Sequence, residues 1–360
     1  MAKDPKKIYV IALKYSLKFY MPIHTKVLSK FLLTEEVPIE LIIPEFNRRS
    51  LKTLFFDFFY IFKWLIRSKP YCVVTVGPKV GFLFSILSFV FNIKQIHWFT
   101  GQQWALNKIK YLSPSFISDF TINLLAYKTM TDSKEQAFFL KKNFFIRDIL
   151  FESNGSINCV SKKLHLIGQK RIEKINSSGF KLDYPIKVGF LGRICVEKGL
   201  DIINQLADDK TLNRKFKFII RGPSDLLISQ RKNNNMAKTI NLESSNLDYK
   251  EGFIDNSEFF NLIDIFILPS KREGFGSVAL EAQACGVPII CSDIYGLYSS
   301  VIDGYGGIHC RNISDYKTAL EFIIDEKNYK KFCNNAYSFS QEFSEENFSY
   351  NLSKLYKKII

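Results

Sequence analysis

Apolar residues along the chain fall into short runs separated by stretches with helical spacing, and this alternation repeats. Ile8–Leu13 is an apolar run of strand length, Pro22–Leu33 places apolar residues at helical intervals, and Ile39–Ile43 is a second strand-length run closed by Pro44. Phe55–Arg67 has helical spacing, and Cys72–Val76 is a strand that ends at Gly77-Pro78. Val80–Phe91 then reads as a helix and Gln95–Phe99 as a strand ending at Thr100-Gly101. Thr121–Tyr127 follows as a helix, Thr129–Thr131 as a short strand and Lys134–Lys141 as another helix. Such alternation predicts a parallel sheet with helices packed on it.

Asp183-Tyr184-Pro185 interrupts the chain, and the pattern restarts. Ile186–Leu191, Lys217–Ile220, Tyr249–Glu251, Ile265–Leu268 and Pro288–Cys291 read as strands. Gly199–Asp208, Ser257–Leu262 and Ser277–Cys285 read as helices, and the last sixty residues as mostly helical. Two doubly wound α/β domains are therefore expected, one over 1–165 and one over 166–340. Ligands of open parallel sheets bind beyond the carboxyl ends of the strands, so the expected site is a cleft between two such domains.

Composition agrees with two folded domains. The chain has 360 residues, 47% of them hydrophobic, which supports a large core and excludes global disorder. Its seven cysteines are odd in number and form no Cys-x-x-Cys pair, so neither a disulfide framework nor a zinc ribbon is indicated, and a reducing cytoplasmic setting is expected. Basic Met1–Lys7 is followed by an apolar stretch broken at Lys14 and Lys18, unlike a secretory signal. The uncharged run Val80–Phe91 is too short to span a bilayer core, which takes about 20 helical residues.

Charge adds an asymmetry. Residues 1–180 hold 27 Lys and Arg against 12 Asp and Glu, while the rest hold 23 against 23, so the whole net charge of +15 sits in the first half. An anionic partner would suit it: nucleic acid, an anionic membrane or a phosphorylated substrate. No RNP pattern, zinc finger or helix-turn-helix signature supports nucleic acid. The aromatic stretch Leu54–Arg67, with Lys63 and Arg67 near its end, can lie on a membrane surface, or it can be an ordinary core helix.

Two stretches concentrate candidate chemistry. In Pro269–Cys291 a strand end is followed by a loop with Glu273, Gly274, Phe275 and Gly276. Ser277 then caps a helix whose end is marked by Gly286 and Pro288. A glycine loop running into a helix start suits a phosphate, and Glu281 lies about one turn into that helix. The bland alternative is a crossover with surface glutamates. In Val188–Gly199, Arg193 leaves a strand tip and Lys198-Gly199 opens the next helix, so both cations can meet phosphate oxygens or simply face water. The spacing fits neither a dinucleotide fingerprint nor a P-loop. The four histidines, 24, 97, 165 and 309, show no metal-ligand spacing, and no convincing paired-aspartate loop appears, so no metal site is expected. His24 follows Pro22 and can touch a substrate or serve structure alone.

GFLGRICVEKG, YKEGF (Tyr249–Phe253) and LPSKREGFGSVALEAQACGVPIICSDIYG together resemble the retaining glycosyltransferases of family 4. The resemblance implies a GT-B fold: two Rossmann-like domains facing a cleft, with the C-terminal helix 341–360 returning to the first. It implies that Glu273 and Glu281 form the family's E-x7-E pair, with Glu273 on the donor sugar and Glu281 on the ribose. It implies that Arg193 and Lys198 hold the diphosphate. Gly274, Phe275, Gly276, Ser277, Gly252 and Phe253 would complete the donor site. Upstream, HWFTGQQW, Thr131-Asp132-Ser133 and NGSINCV are similar to members that build bacterial surface polysaccharide, O-antigen or capsule, on polyprenyl carriers. His24, Thr100, Gly101 and Gln102 are then acceptor-side candidates.

The implied activity is transfer of a hexose or hexosamine, from a UDP-linked donor, to a lipid-linked saccharide. It needs no metal or other cofactor, and it takes place at the inner, anionic face of the cell membrane. Two departures stand out: Thr100 occupies the place of a family histidine whose role His97 does not simply inherit, and Cys159 replaces a glycine. They leave open a catalytically silent partner subunit, beside a nucleotide-sugar epimerase on the same fold.

Overall fold

Two six-stranded, all-parallel sheets organise the chain. The computed structural model describes residues 8–11, 39–42, 51–99, 102, 113–131, 133–143, 149–150, 159–223 and 246–357. The helix expected over Pro22–Leu33 and the candidates His24, Thr100 and Gly101 lie outside the described residues. Contacts divide the chain into one unit of 1–158 with 348–360, and a second of 159–347. The first division falls at Asn158/Cys159 where the sequence reading had 165/166, because Lys162–Asn176 is one unbroken helix of the second unit.

The first unit contains β1 (Ile8–Ile11), β2 (Ile39–Ile42), β3 (Cys72–Val76), β4 (Lys94–Phe99), β5 (Lys128–Thr131) and β6 (Ile149–Leu150), in the order β2-β1-β3-β4-β5-β6. Its described helices are α1 (Leu51–Ser68), α2 (Pro78–Val90), α3 (Pro114–Leu125) and α4 (Lys134–Asn143). Every residue of β3 is buried, as a strand in the middle of a parallel sheet requires. Helix α3 starts earlier than apolar spacing predicts, because Ser113 accepts from the Phe116 amide and Pro114 fits the first turn. In α1, Ile61 and Leu65 are buried and Phe58, Phe62 and Trp64 pack on the core, whereas Phe59 and Tyr60 are exposed. The aromatic stretch is therefore a core helix on one side and an aromatic surface on the other.

His97 lies in β4, fully inside. Its Nδ1 is 3.0 Å from Thr75 Oγ1, and Gln95 Nε2 donates to the same hydroxyl at 2.9 Å. Burial pulls the imidazole down to about 3, so it is a neutral core group at ordinary pH.

The second unit begins with α5 (Lys162–Asn176) and continues with β7 (Ile186–Leu191), α6 (Leu200–Ala207), β8 (Phe216–Gly222) and β9 (Leu247–Glu251). Then come α7 (Asn256–Leu262), β10 (Ile265–Leu268), α8 (Ser277–Ala284), β11 (Ile289–Ser292), β12 (Gly307–Cys310), α9 (Ile313–Ile323) and α10 (Glu326–Ser340). Helix α11 (Glu345–Lys357) starts in this unit and ends in the first. The strand order is β12-β11-β10-β7-β8-β9. The chain builds outward from β7 through β8 to β9, then returns to β7's other side with β10. The β7/β10 junction is thus where the winding reverses, and a crevice opens outside the carboxyl ends of such a pair.

Candidate functional site

The loops that leave β7 and β10 meet at this reversal. After β7, Gly192 and Arg193 lead into a 3₁₀ turn, Val196–Lys198, and then Gly199 starts α6. Gly199 has φ of +68°, and a Cβ there would overlap the carbonyl oxygen of Pro269. Only glycine lets the two loops close to this distance in this conformation. The Lys271 amide donates to the Glu197 carbonyl at 2.8 Å, and Arg272 Nη2 donates to Glu197 Oε2 at 2.8 Å.

This junction fixes Lys198 against Glu273. Lys198 Nζ lies 2.6 Å from Glu273 Oε1, with the two side chains only 17% and 12% exposed. Ser270 Oγ donates to the same carboxylate oxygen at 2.7 Å. A half-desolvated ammonium and carboxylate attract each other more strongly than a surface pair, and each has spare hydrogen-bonding capacity for a ligand. Ser270 follows Pro269 just beyond β10, and only the fold gives it this partner.

From Glu273 the loop runs through Gly274 and the buried Phe275, whose ring lies 6.0 Å from that of Phe343. Gly276 has φ of +73° and caps α8, leaving Ser277 exposed at its first position. Glu281 sits one turn further along. Its carboxyl is largely buried, and Asn256 Nδ2, at the start of α7, donates to its Oε2 at 2.6 Å. Desolvation pushes Glu281 up to about 7, against the opposing pull of the Asn256 hydrogen bond. Asn256 gave no sequence signal, since its importance arises from the approach of α7 to α8. Gly252, at the end of β9, donates its amide to the Gly222 carbonyl at 3.0 Å, and Phe253 beside it is 69% exposed.

Arg193 is half-buried at the β7 tip. Cys159 belongs to this unit too, and burial, followed by the charges of Glu345 and Glu281, pushes its thiol up to about 12. It is therefore a protonated neighbour of the site and no nucleophile. Gln102, in the first unit, is fully buried and accepts a hydrogen bond from Gln136 Nε2 at 3.4 Å. All seven cysteines are free. Glu273 and Glu281 thus occupy two different settings eight residues apart: one paired with a cation, one buried beside an amide. Each offers carboxylate oxygens that can accept from ligand hydroxyls.

Residues 171–339, within the second unit, match the family Glycosyl transferases group 1. The chain is similar to an uncharacterized glycosyltransferase, MJ1178, of Methanocaldococcus jannaschii, with 33% identity over 173 residues. That match spans only about half of each chain, 47% of either. It is similar to the capsular polysaccharide biosynthesis glycosyltransferase CapM of Staphylococcus aureus, 25% identical over 75% of this chain and 71% of CapM. The N,N'-diacetylbacillosaminyl-diphospho-undecaprenol alpha-1,3-N-acetylgalactosaminyltransferase of Campylobacter jejuni is 30% identical over 41% of this chain and 39% of its own.

Among solved structures, sucrose-phosphate synthase from Thermosynechococcus elongatus superposes with a TM-score of 0.78 at 16% identity, covering 98% of this chain and 99% of that one. Anabaena Alr3699/HepE in complex with UDP and glucose gives 0.69 at 15% identity, covering 98% and 100%. At such identities the likeness speaks for the fold, which is GT-B, as the sequence resemblance implied.

Proposed function

We propose that this chain is a retaining hexosyltransferase that moves a sugar from a UDP-linked donor to a lipid-linked saccharide in bacterial surface-polysaccharide synthesis. The observation that carries the reading is the Lys198–Glu273 contact at the β7/β10 reversal, with the buried Glu281 on the helix that follows. In this reading Arg193 and Lys198 bind the diphosphate, Glu273 turns from Lys198 toward the donor sugar, and Glu281 accepts from the ribose hydroxyls. Gly274, Phe275, Gly276 and Ser277 bring backbone amides to the sugar and phosphate, while Gly252 and Phe253 border the base. The complex of Alr3699/HepE with UDP and glucose supports a UDP donor, and the diphospho-undecaprenol in the name of the C. jejuni relative supports a lipid-linked acceptor. His24, Thr100, Gly101 and Gln102 are assigned to the acceptor side.

Retention follows if the acceptor hydroxyl attacks the anomeric carbon on the face that the diphosphate leaves. The new C–O bond forms as the sugar–phosphate bond breaks, and the hydroxyl proton passes to the departing phosphate oxygen. Arg193, Lys198 and the α8 start would stabilise that oxygen's charge in place of a divalent cation. The test is a donor screen against short polyprenyl-diphosphate saccharides. UDP-dependent extension of such an acceptor is expected. Consumption of donor with release of free sugar or an epimer, and no extension, would replace this reading with an epimerase or hydrolase.

A further inference from the structure

The carboxyl edge of the second sheet holds another hollow, away from the loops that leave β7 and β10. Strands β11 and β12 run parallel with Ser292 paired to Cys310, so Asp293 and Arg311 leave their ends side by side. Between the two strands the chain makes a 3₁₀ turn, Tyr295–Leu297, and then a loop that includes Tyr298, Val301 and Asp303. A cavity of about 450 Å³ lies there, within the size range of small-molecule sites.

Its lining is held in place by its own hydrogen bonds. His309 Nε2 donates to the Val301 carbonyl at 2.9 Å, and the His309 amide donates to Asp303 Oδ1 at 2.9 Å. Tyr298 stacks on this fixed imidazole, with ring centroids 5.3 Å apart and planes 19° apart, yet stays 43% exposed. Tyr298 Oη donates to Asp293 Oδ1 at 2.8 Å, and Arg311 Nε donates to Asp293 Oδ2 at 2.7 Å. Arg311, and then Tyr298, hold the Asp293 carboxyl below the usual carboxylate range, so it is ionised at ordinary pH. The Arg311 amide donates to Asp315 Oδ2 at 2.8 Å. The cavity thus combines an oriented aromatic ring, the apolar Val301 and Ile302, further guanidinium N–H donors, and carboxylates with acceptor sites to spare.

This combination narrows the class of ligand. Three carboxylates against one guanidinium make the lining net negative, which disfavours phosphates and other anions. Among the described residues, no three acidic, imidazole or thiol groups converge to hold a metal ion. Donors and acceptors set beside an aromatic face suit a ring with hydroxyls on its edge and C–H bonds on its faces. We propose that the β11/β12 cavity is a saccharide-binding site separate from the donor loops, and that it takes a neutral or amino sugar in preference to an acidic one. Its loop rests on the donor loop: a Cβ on Gly296 would overlap the Glu273 carbonyl oxygen, and a Cβ on Gly276 would strike Leu297. A saccharide held there is therefore kept beside the segment that carries Glu273. The inference goes beyond the proposed reaction, because neither donor loop lines the cavity.

Saturation-transfer nuclear magnetic resonance of the full chain with glucose, N-acetylglucosamine, glucosamine and glucuronate tests it. Signal is expected from the first three, and glucuronate should bind about fivefold more weakly than glucose. Tyr298→Ala and Arg311→Gln should each weaken glucose about fivefold or more, through the lost ring face and the lost donors. The Arg311 side chain is 82% exposed, so its replacement leaves the fold intact. Arg193→Ala and Glu273→Gln, in the donor loops, should leave sugar binding unchanged. Calorimetry with UDP should give wild-type affinity in both cavity variants, so failure here is separable from failure of the donor assignment, which is read on UDP. Maltotriose in place of glucose separates a segment of a longer chain, bound more tightly, from a free monosaccharide, bound equally, and either result supports the site. The proposal is overturned if none of these sugars receives saturation, if glucuronate binds as tightly as glucose, or if the signal survives both cavity variants. Loss of the signal in Glu273→Gln would also overturn it, by placing the sugar in the donor site.

Discussion

Donor binding should be controlled by the proton on Glu281. Burial raises this carboxyl from an ordinary 4.5 to about 7 in the free protein, although Asn256 works to keep it ionised. Ribose hydroxyls are donors, and they bind a carboxylate better than a carboxylic acid. The fraction of binding-competent protein is then the ionised fraction, and the apparent Kd rises as that fraction falls. Below pH 7 affinity for a UDP-sugar should drop about tenfold per pH unit, and above pH 8 it should be flat. A UDP-sugar is the right probe because its diphosphate diester does not titrate in this range, whereas UDP itself does.

The same group should tilt stability the other way. Its folded-state value lies above its unfolded one, so between pH 4.5 and about 7 the folded state holds more protons. Stability of the free protein therefore falls as pH rises through that window, by on the order of 3 kcal/mol across it. Glu281→Gln should abolish both slopes. It should raise Tm at pH 8 relative to wild type while weakening the UDP-sugar by about tenfold or more. Asn256→Ala should shift the affinity midpoint to higher pH. Isothermal titration from pH 5.5 to 8.5, in two buffers of different ionisation enthalpy, gives affinity and proton release together. A Kd that does not change with pH, with no proton released at pH 6, would refute the assignment of Glu281.

Three further expectations concern the facing loops. Arg193→Ala and Lys198→Ala should each weaken UDP by about tenfold or more in calorimetry, the scale of a charge-assisted hydrogen bond, and unchanged affinity in both would remove the diphosphate role. Glu273→Gln should leave UDP affinity nearly intact while slowing transfer by about a hundredfold, as expected for a contact made to the reacting sugar, and a matching loss of UDP affinity would end the division of roles between the glutamates. Gly199→Ala should cost about 1–3 kcal/mol, because φ of +68° and the Pro269 carbonyl leave no room for a methyl, and an unaltered Tm in a thermal melt would contradict that geometry.

Much of the second unit was legible because its strands are buried on both sides and so appear as unbroken apolar runs. Ile265–Leu268 is such a run, ended by Pro269, and the structure's β10 has the same bounds. Edge elements gave less signal. Strand β12, Gly-Ile-His-Cys, has no apolar run to mark it, and the helix Lys162–Asn176 hides a narrow apolar stripe of Leu164, Gly168 and Ile175 among six charges. Within the site, the residue types and spacing of Glu273, Glu281, Arg193 and Lys198 were visible, but their pairing was not. Lys198 and Glu273 are 75 residues apart, and only the parallel placement of β7 beside β10 brings them together. The exposed row of α3 stayed unread for a related reason: Ile117, Phe120 and Leu124 have the spacing of a core face, and sequence pattern alone does not say which side of a helix meets water.

The most direct test of the proposed reaction is a nuclear magnetic resonance time course of a UDP-α-sugar incubated with the protein and a polyprenyl-diphosphate monosaccharide. The first glycoside formed should carry an α-linked anomeric proton, appearing in step with UDP release and absent when the acceptor is omitted. A β-linked first product, or donor consumption that proceeds equally without acceptor, would contradict retaining transfer at the Lys198–Glu273 site.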